Sequence, residues 1–211
     1  APQFASIIES EADAECQKQA VYGLSRITKE HPEAVIPHAE SLKSVVLDDG
    51  TADTVRLNAT AALGRTVSED PAIGIDMVEE LVELFDAENP KLRNNAIGLI
   101  SDVATVHTDV VESFSEEIAA LLEADDTYTR INATAALSRV AEDFPATVAT
   151  LTPTFIDLLD DDNSQVRQNT CWALGYLEAQ EATVRLERAS TADTDSDVRS
   201  RASWTQAKIR S

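Results

Sequence analysis

A run in the 211-residue chain with the look of a metal site is Asp193-x-Asp195-x-Asp197. Carboxylates alternating in this way open the calcium loop of an EF-hand, which surrounds the ion with oxygen ligands. That loop also needs a glycine for its sharp turn at the sixth position and a bidentate glutamate at the twelfth. Val198 and Trp204 stand there, so calcium binding is not expected. His31, His38 and His107 form no HExxH and no His-Glu pair, which leaves a zinc peptidase or a di-iron oxygenase without ligands. Cys16 and Cys171 are far apart and form no CxxC. They are expected to be small buried residues in a reducing compartment. The chain contains no GxxxxGK[ST], GxGxxG or GxSxG, and no Cys/His/Asp nucleophile set can be assembled. No catalytic residue, metal ligand or cofactor is therefore assigned, and the expectation is that the chain is not an enzyme.

What does recur is a polar pattern. Arg56, Arg93, Arg130 and Arg167 are each 37 residues apart, and Asn58, Asn95, Asn132 and Asn169 follow two positions later. The same register carries Ala59, Ala96, Ala133 and Thr170, then Leu63, Ile100, Leu137 and Leu174, then Gly64, Ser101, Ser138 and Gly175. A weaker copy runs through Gln17–Ser25, and Val198–Arg199 restarts the pattern after only 32 residues. Period-long self-similarity with atypical ends is the mark of a stacked array whose terminal units face water. Asn58-Ala-Thr and Asn132-Ala-Thr match a glycosylation sequon only as a by-product of the repeat.

The elements that must carry these residues are helices. Val55, Ala59, Ala62, Leu63 and Thr66 fall at i, i+4, i+7, i+8 and i+11, one face of a helix. Asn89, Asp126, Asn163 and Asp195 each stand four residues before an Arg as N-caps, and Pro90 takes the first helical position after Asn89. A preceding helix is expected at 71–86, 108–124 and 145–160, with Leu81, Ile118 and Phe155, and Leu84, Leu121 and Leu158, as its shared apolar positions. Each unit is thus a helical hairpin.

An acid near the hairpin turn, then Val-Arg, then Ala, then Ala-Leu-Gly resembles HEAT repeats, in particular the short subtype named after phycobiliprotein lyases; the resemblance covers roughly residues 12–210. It implies an all-α fold, an α-solenoid of about five stacked hairpins forming one domain over 1–211. The expected units are 1–31, 32–70, 71–107, 108–144, 145–180 and 181–211, the first and last being caps. It also implies a structural ladder in which each repeated Arg pairs with the acid seven residues before it: Asp49 with Arg56, Asp86 with Arg93, Glu123 with Arg130 and Asp160 with Arg167. The asparagines either bridge neighbouring second helices or offer amides to an extended peptide, as in the related armadillo arrays.

HEAT stacks place the second helix of each hairpin on the concave side. The face of these helices turned away from the core carries Arg26, Arg65, Asp102, Arg139 and Tyr176 along one line, and Tyr22, Ala61, Gly98, Ala135 and Trp172 one turn earlier. Tyr, Trp and Arg are enriched at binding hot spots. The expected partner-binding residues are therefore Tyr22, Arg26, Arg65, Arg139, Trp172 and Tyr176. The competing reading packs Trp172 and Tyr22 against capping helices and pairs the arginines with local acids.

Composition narrows the function. There are 38 acids against 17 bases, a formal net charge of −21, spread along the whole chain. Such a surface resembles that of proteins from salt-in halophiles, pointing to a halophilic archaeon, where concentrated salt screens the self-repulsion. The alternative is an acidic protein with a basic partner. The charge argues against phosphate binding, and no apolar run approaches the ~20 residues of a membrane span. The expected role is a monomeric, cytoplasmic, non-catalytic scaffold that binds a protein or peptide, with no cofactor, nucleic acid or membrane. The alternatives are a nucleic-acid groove like that of HEAT-like alkylpurine glycosylases, or a bilin lyase-like protein. The halophile reading predicts that thermal melts in a KCl series rise steadily toward multimolar salt; equal melting at low and multimolar KCl would contradict it.

Overall fold

The computed structural model describes residues 1–10 and 13–210, and among these every regular element is helical. The chain divides into two compact units, Ala1–His107 and Thr108–Ser211. Unit 1 contains α1 (Pro2–Ile8), α2 (Ala14–Ile27), α3 (Ala39–Leu47), α4 (Asp53–Glu69), α5 (Val78–Glu83) and α6 (Pro90–Val103). Unit 2 contains α7 (Thr108–Glu112), α8 (Ser115–Ala119), α9 (Thr127–Asp143), α10 (Pro145–Val148), α11 (Thr152–Leu158), α12 (Ser164–Tyr176), α13 (Thr183–Ala192) and α14 (Ser196–Ile209).

The second helices of the hairpins (α4, α6, α9, α12 and α14) are continuous, and the starts of all but α4, which follows Ala52, are set by side chains. Asn89 Oδ1 accepts from the Lys91 amide at 3.1 Å, Asp126 from Thr129 at 2.9 Å, Asn163 from Gln165 at 2.8 Å and Asp195 from Asp197 at 2.9 Å. Each bond satisfies an amide that a helix otherwise leaves unpaired. The residues repeated as Leu63, Ile100, Leu137 and Leu174 are fully buried, as are Ala59, Ala96 and Ala133. Small and apolar residues at these positions let neighbouring helices approach closely.

The first helices are not the single rods expected over 71–86, 108–124 and 145–160. A 3₁₀ stretch at Pro71–Met77 leads into α5, α7 and α8 are short separate pieces, and a 3₁₀ turn at Ala149–Leu151 parts α10 from α11. Pro153 sits in the first turn of α11. A proline cannot donate to the residue four back and clashes with its carbonyl, so the helix restarts there. At Gly74 the missing Cβ makes room for a Val103 methyl, which would lie 2.5 Å from it. In the 108–124 segment the Ser115 hydroxyl donates to the Glu112 carbonyl at 2.7 Å; such local bonds compete with helix propagation. The expected apolar positions are nonetheless inside, with Leu81, Ile118 and Phe155 fully buried.

The repeated arginines clamp turns. Nη1 of Arg93 donates to the carbonyls of Ala87 (2.6 Å) and Glu88 (3.2 Å), and Arg130 does the same to Ala124 (2.8 Å) and Asp125 (3.1 Å). Arg167 binds Asp161 and Asp162, and Arg199 binds Asp193 and Thr194, in identical register. Arg56 departs from this, with Nε donating to the Val46 carbonyl at 3.0 Å.

The carboxylate partners differ from the expected ladder. Only Arg56 meets its acid, Asp49, at 3.3 Å. Among the described residues Arg93, Arg130 and Arg167 form no ion pair with Asp86, Glu123 and Asp160. Arg130 instead grips Asp161 with two bonds, Nε to Oδ2 at 2.8 Å and Nη2 to Oδ1 at 3.2 Å. Arg167 grips Asp193 with two bonds of 2.8 Å. Asp160 faces Arg185 at 3.2 Å. The reason is the guanidinium's shape: one edge is spent on turn carbonyls, so the Nε/Nη2 edge faces the next turn along. The position 31 residues beyond Arg56 is Ala87, so no carboxylate stands there for it.

Both ion pairs are largely enclosed, with side-chain exposures of 15 % and 7 % for Arg130 and Asp161. Hydrogen bonding from Arg167 holds the Asp193 carboxyl below the usual carboxylate range. Removing one partner of an enclosed pair strands the other charge. Arg130→Ala is therefore expected to cost about 3 kcal/mol in urea denaturation. Arg93→Ala, which loses only carbonyl bonds, should cost about 1.5 kcal/mol; an equal or larger loss for Arg93 would refute the ladder.

Candidate functional site

The expected partner-binding residues are divided between the two units. In unit 1, Tyr22 is 50 % exposed on α2 and Arg26 is exposed one turn later. Beside Tyr22, the Phe4 ring of α1 packs on α2 at Gly23, where a Cβ would come within 2.7 Å of it. Arg65 is half-buried and folds back onto its own helix, its Nη1 donating to the Ala61 carbonyl at 2.7 Å. Asp102 accepts from the Ser68 hydroxyl at 2.6 Å. No ion pair is formed by Arg26, Arg65 or Arg139 among the described residues, so the reading that pairs them with local acids does not describe their geometry.

In unit 2 the site is larger than the sequence reading. Trp172 and Tyr176, on α12, stack with centroids 5.8 Å apart and planes 12° apart. Trp204 of α14 closes on both, 4.4 Å from Trp172 and 5.6 Å from Tyr176, edge-on in each case. The Arg201 guanidinium lies 4.0 Å above the Trp172 ring, and Lys208 Nζ lies 5.2 Å from Tyr176 and 5.8 Å from Trp204. All three rings are half-buried, and Arg139 stands exposed on α9. Trp172 does pack against the last helix, yet keeps a solvent-facing part. Each ring pair contributes about 1 kcal/mol beyond its area, and an exposed cation over a ring about 0.5–1 kcal/mol.

Two backbone features position the cluster. A Cβ at Gly175 would lie 2.5 Å from Trp204 Cζ3, so the indole rests directly on the α12 backbone. The Thr205 hydroxyl donates to the Cys171 carbonyl at 2.7 Å, pinning α14 one residue from Trp204. Trp204, Arg201 and Lys208 were missed as site residues. The signal was present: the pattern restarting at Val198–Arg199 places them 32 residues after Trp172, Asn169 and Tyr176.

The asparagines split. Asn58 bonds its own helix, at the Thr54 carbonyl. Asn169 donates to the Ile131 carbonyl at 3.1 Å and to the Thr134 hydroxyl at 3.2 Å, tying α12 to α9. Cys16, expected to be buried, is exposed on the first turn of α2, whereas Cys171 is buried, and burial pushes its thiol up to about 12. In the aspartate run, Asp193 is held by Arg167 and Asp195 caps α14. Among the described residues no group of three or more His, Cys, Asp or Glu is arranged to hold a metal, and no helix is long and apolar enough to cross a membrane.

A family model described as HEAT repeats matches residues 115–207. In fold the chain is similar to an engineered protein at 20 % identity, covering 99 % of this chain and 96 % of that one, with a TM-score of 0.81. It is also similar to a designed armadillo repeat protein in complex with the peptide (KR)4, at 18 % identity, 99 % and 98 % coverage and a TM-score of 0.81. A computationally designed armadillo repeat protein for modular peptide recognition matches at 20 % identity, 99 % coverage of both chains and a TM-score of 0.79. A comparison with curated proteins finds no match. These likenesses show the fold, an α-solenoid of helical hairpins.

Burial, followed by the hydrogen bond from its hydroxyl to Glu142, pushes Tyr176 up to about 12. Both favour the neutral phenol, so the stabilisation is complete below the ordinary tyrosine value of about 10 and is lost as pH rises from there through about 12. Absorbance titration should show one of the three tyrosines ionising near 12. Glu142→Gln should bring that transition down, and an unmoved transition would separate Tyr176 from Glu142.

Proposed function

We propose that the chain is a monomeric, non-catalytic scaffold that binds an extended segment of another protein on the second-helix face of unit 2. The observation that carries this is the half-buried cluster of Trp172, Tyr176 and Trp204 with Arg201 and Lys208 beside its rings. Rigid aromatics lose little rotamer entropy on binding, and arginine adds a planar donor set, so a few such residues supply most of an interface's affinity. Arg139 extends this patch on α9. Tyr22 and Arg26, with Arg65, offer a second patch on unit 1.

The designed armadillo neighbours with peptides in their descriptions support a peptide-binding use of this fold. The net charge of −21 supports a protein partner over nucleic acid, since a phosphate backbone gains affinity by releasing counterions to a basic surface.

The test is selection of random linear peptides on the immobilised protein, with binding then measured on wild type and on Trp172→Leu. Selected peptides should lose at least about tenfold in affinity on the variant, as expected for an aromatic anchor. Peptides indifferent to Trp172→Leu, or retention of a single-stranded oligonucleotide in preference to any peptide, would overturn the proposal.

A further inference from the structure

We infer that the segment taken by the unit 2 face is acidic: a peptide whose carboxylates meet Arg139 and Arg201 while an apolar side chain covers the indoles. The inference rests on the peptide-binding reading above and adds the chemistry of the partner.

The chain has 38 acids for 17 bases, and seven of the bases form ion pairs among the described residues, Lys18 with Glu15 included. The others are Lys43, Arg56, Arg130, Arg167, Arg185 and Arg188. Arg139 and Arg201 form no ion pair among the described residues, and they flank the same aromatic cluster. Of the acids on α9, Glu142 lies against the Tyr176 hydroxyl and Asp143 accepts from the Thr108 hydroxyl at 2.5 Å. Among the described residues neither is in an ion pair with Arg139 or Arg201, so both guanidiniums keep N–H groups for a partner's carboxylate.

A basic segment is disfavoured by the same geometry. Aromatic faces attract cations, but here Arg201 already covers Trp172 at 4.0 Å, and Lys208 approaches Tyr176 and Trp204. A lysine or arginine from a partner would have to displace them and would meet Arg139 as well. A carboxylate gains instead, because a guanidinium can hold it with two parallel bonds. Arg201 can stay stacked on Trp172 while its N–H edge points outward, as stacking uses the face of the guanidinium and hydrogen bonding uses its edge.

The test uses the chain's two tryptophans, Trp172 and Trp204, both in the cluster, so their emission reports on this site alone. Three synthetic peptides are titrated: one with glutamates flanking leucines, its glutamine counterpart and its lysine counterpart. The titrations are run in about 0.5 M KCl, where a Debye length of about 4 Å removes the long-range repulsion from the −21 chain. The glutamate peptide should give a saturable change at least about tenfold tighter than the glutamine peptide. Arg139→Gln and Arg201→Gln should each remove most of that preference, while Lys91→Gln, at an exposed base on unit 1, leaves it intact. Arg139 is exposed, so its variant keeps the fold even if the Arg201 variant disturbs Trp172. Equal or tighter binding of the lysine peptide, or a preference unchanged in both variants, would overturn the acidic partner and leave the scaffold reading standing. No saturable change with any of the three would overturn both.

Discussion

Four hairpins of this chain are each held by one guanidinium laid across the turn, from Arg93, Arg130, Arg167 or Arg199. The carbonyls at the end of a first helix and in the turn after it have no helical partner, and a buried unpaired carbonyl is costly. An arginine from the first turn of the second helix reaches back to two of them. This fixes the angle between the helices and leaves the Nε/Nη2 edge aimed at the following turn. Where that turn offers a carboxylate, as at Asp161 and Asp193, the same side chain also ties one hairpin to the next. At Arg130 and Arg167 the closure of a hairpin and its link to the next thus share one residue, while at Arg93 and Arg199 the same register keeps the turn clamp.

The consequences run along the second helices. Their caps and clamps make them continuous, whereas the first helices break into short helical and 3₁₀ pieces at prolines, at Gly74 and at serine-rich stretches. Chemistry that needs fixed spacing therefore collects on the second helices. Consecutive second helices in unit 2 bring residues of the same register side by side. Trp172 meets Trp204, and Arg201, in the asparagine register, lies over the preceding helix's indole. Gly175 lets this happen by giving the Trp204 ring a bare backbone to rest on.

Charge shapes the site by contrast. In this acidic chain about half of the bases are taken up in clamps and ion pairs. Arg139 and Arg201 form no ion pair among the described residues, and both stand beside the aromatic cluster. The proposed partner chemistry follows these two local charges and not the total charge of −21.

The 37-residue period, the N-caps Asn89, Asp126, Asn163 and Asp195, and the buried row from Leu63 to Leu174 were all determined by the sequence itself. They depend on contacts within one helix or one hairpin, which linear spacing encodes. The arginine row was legible, but not its partners. An acid seven residues back looks adjacent along the chain, whereas Asp161 and Asp193 are adjacent only once hairpins stack and a guanidinium's free edge has a direction. Trp172 and Tyr176 were likewise legible as a face. Their completion by Trp204, Arg201 and Lys208, across the gap made by Gly175, was decided by the packing of α14 on α12. Tertiary structure alone settles such matters, because helix-on-helix approach sets which side chains meet across units and which charges find partners.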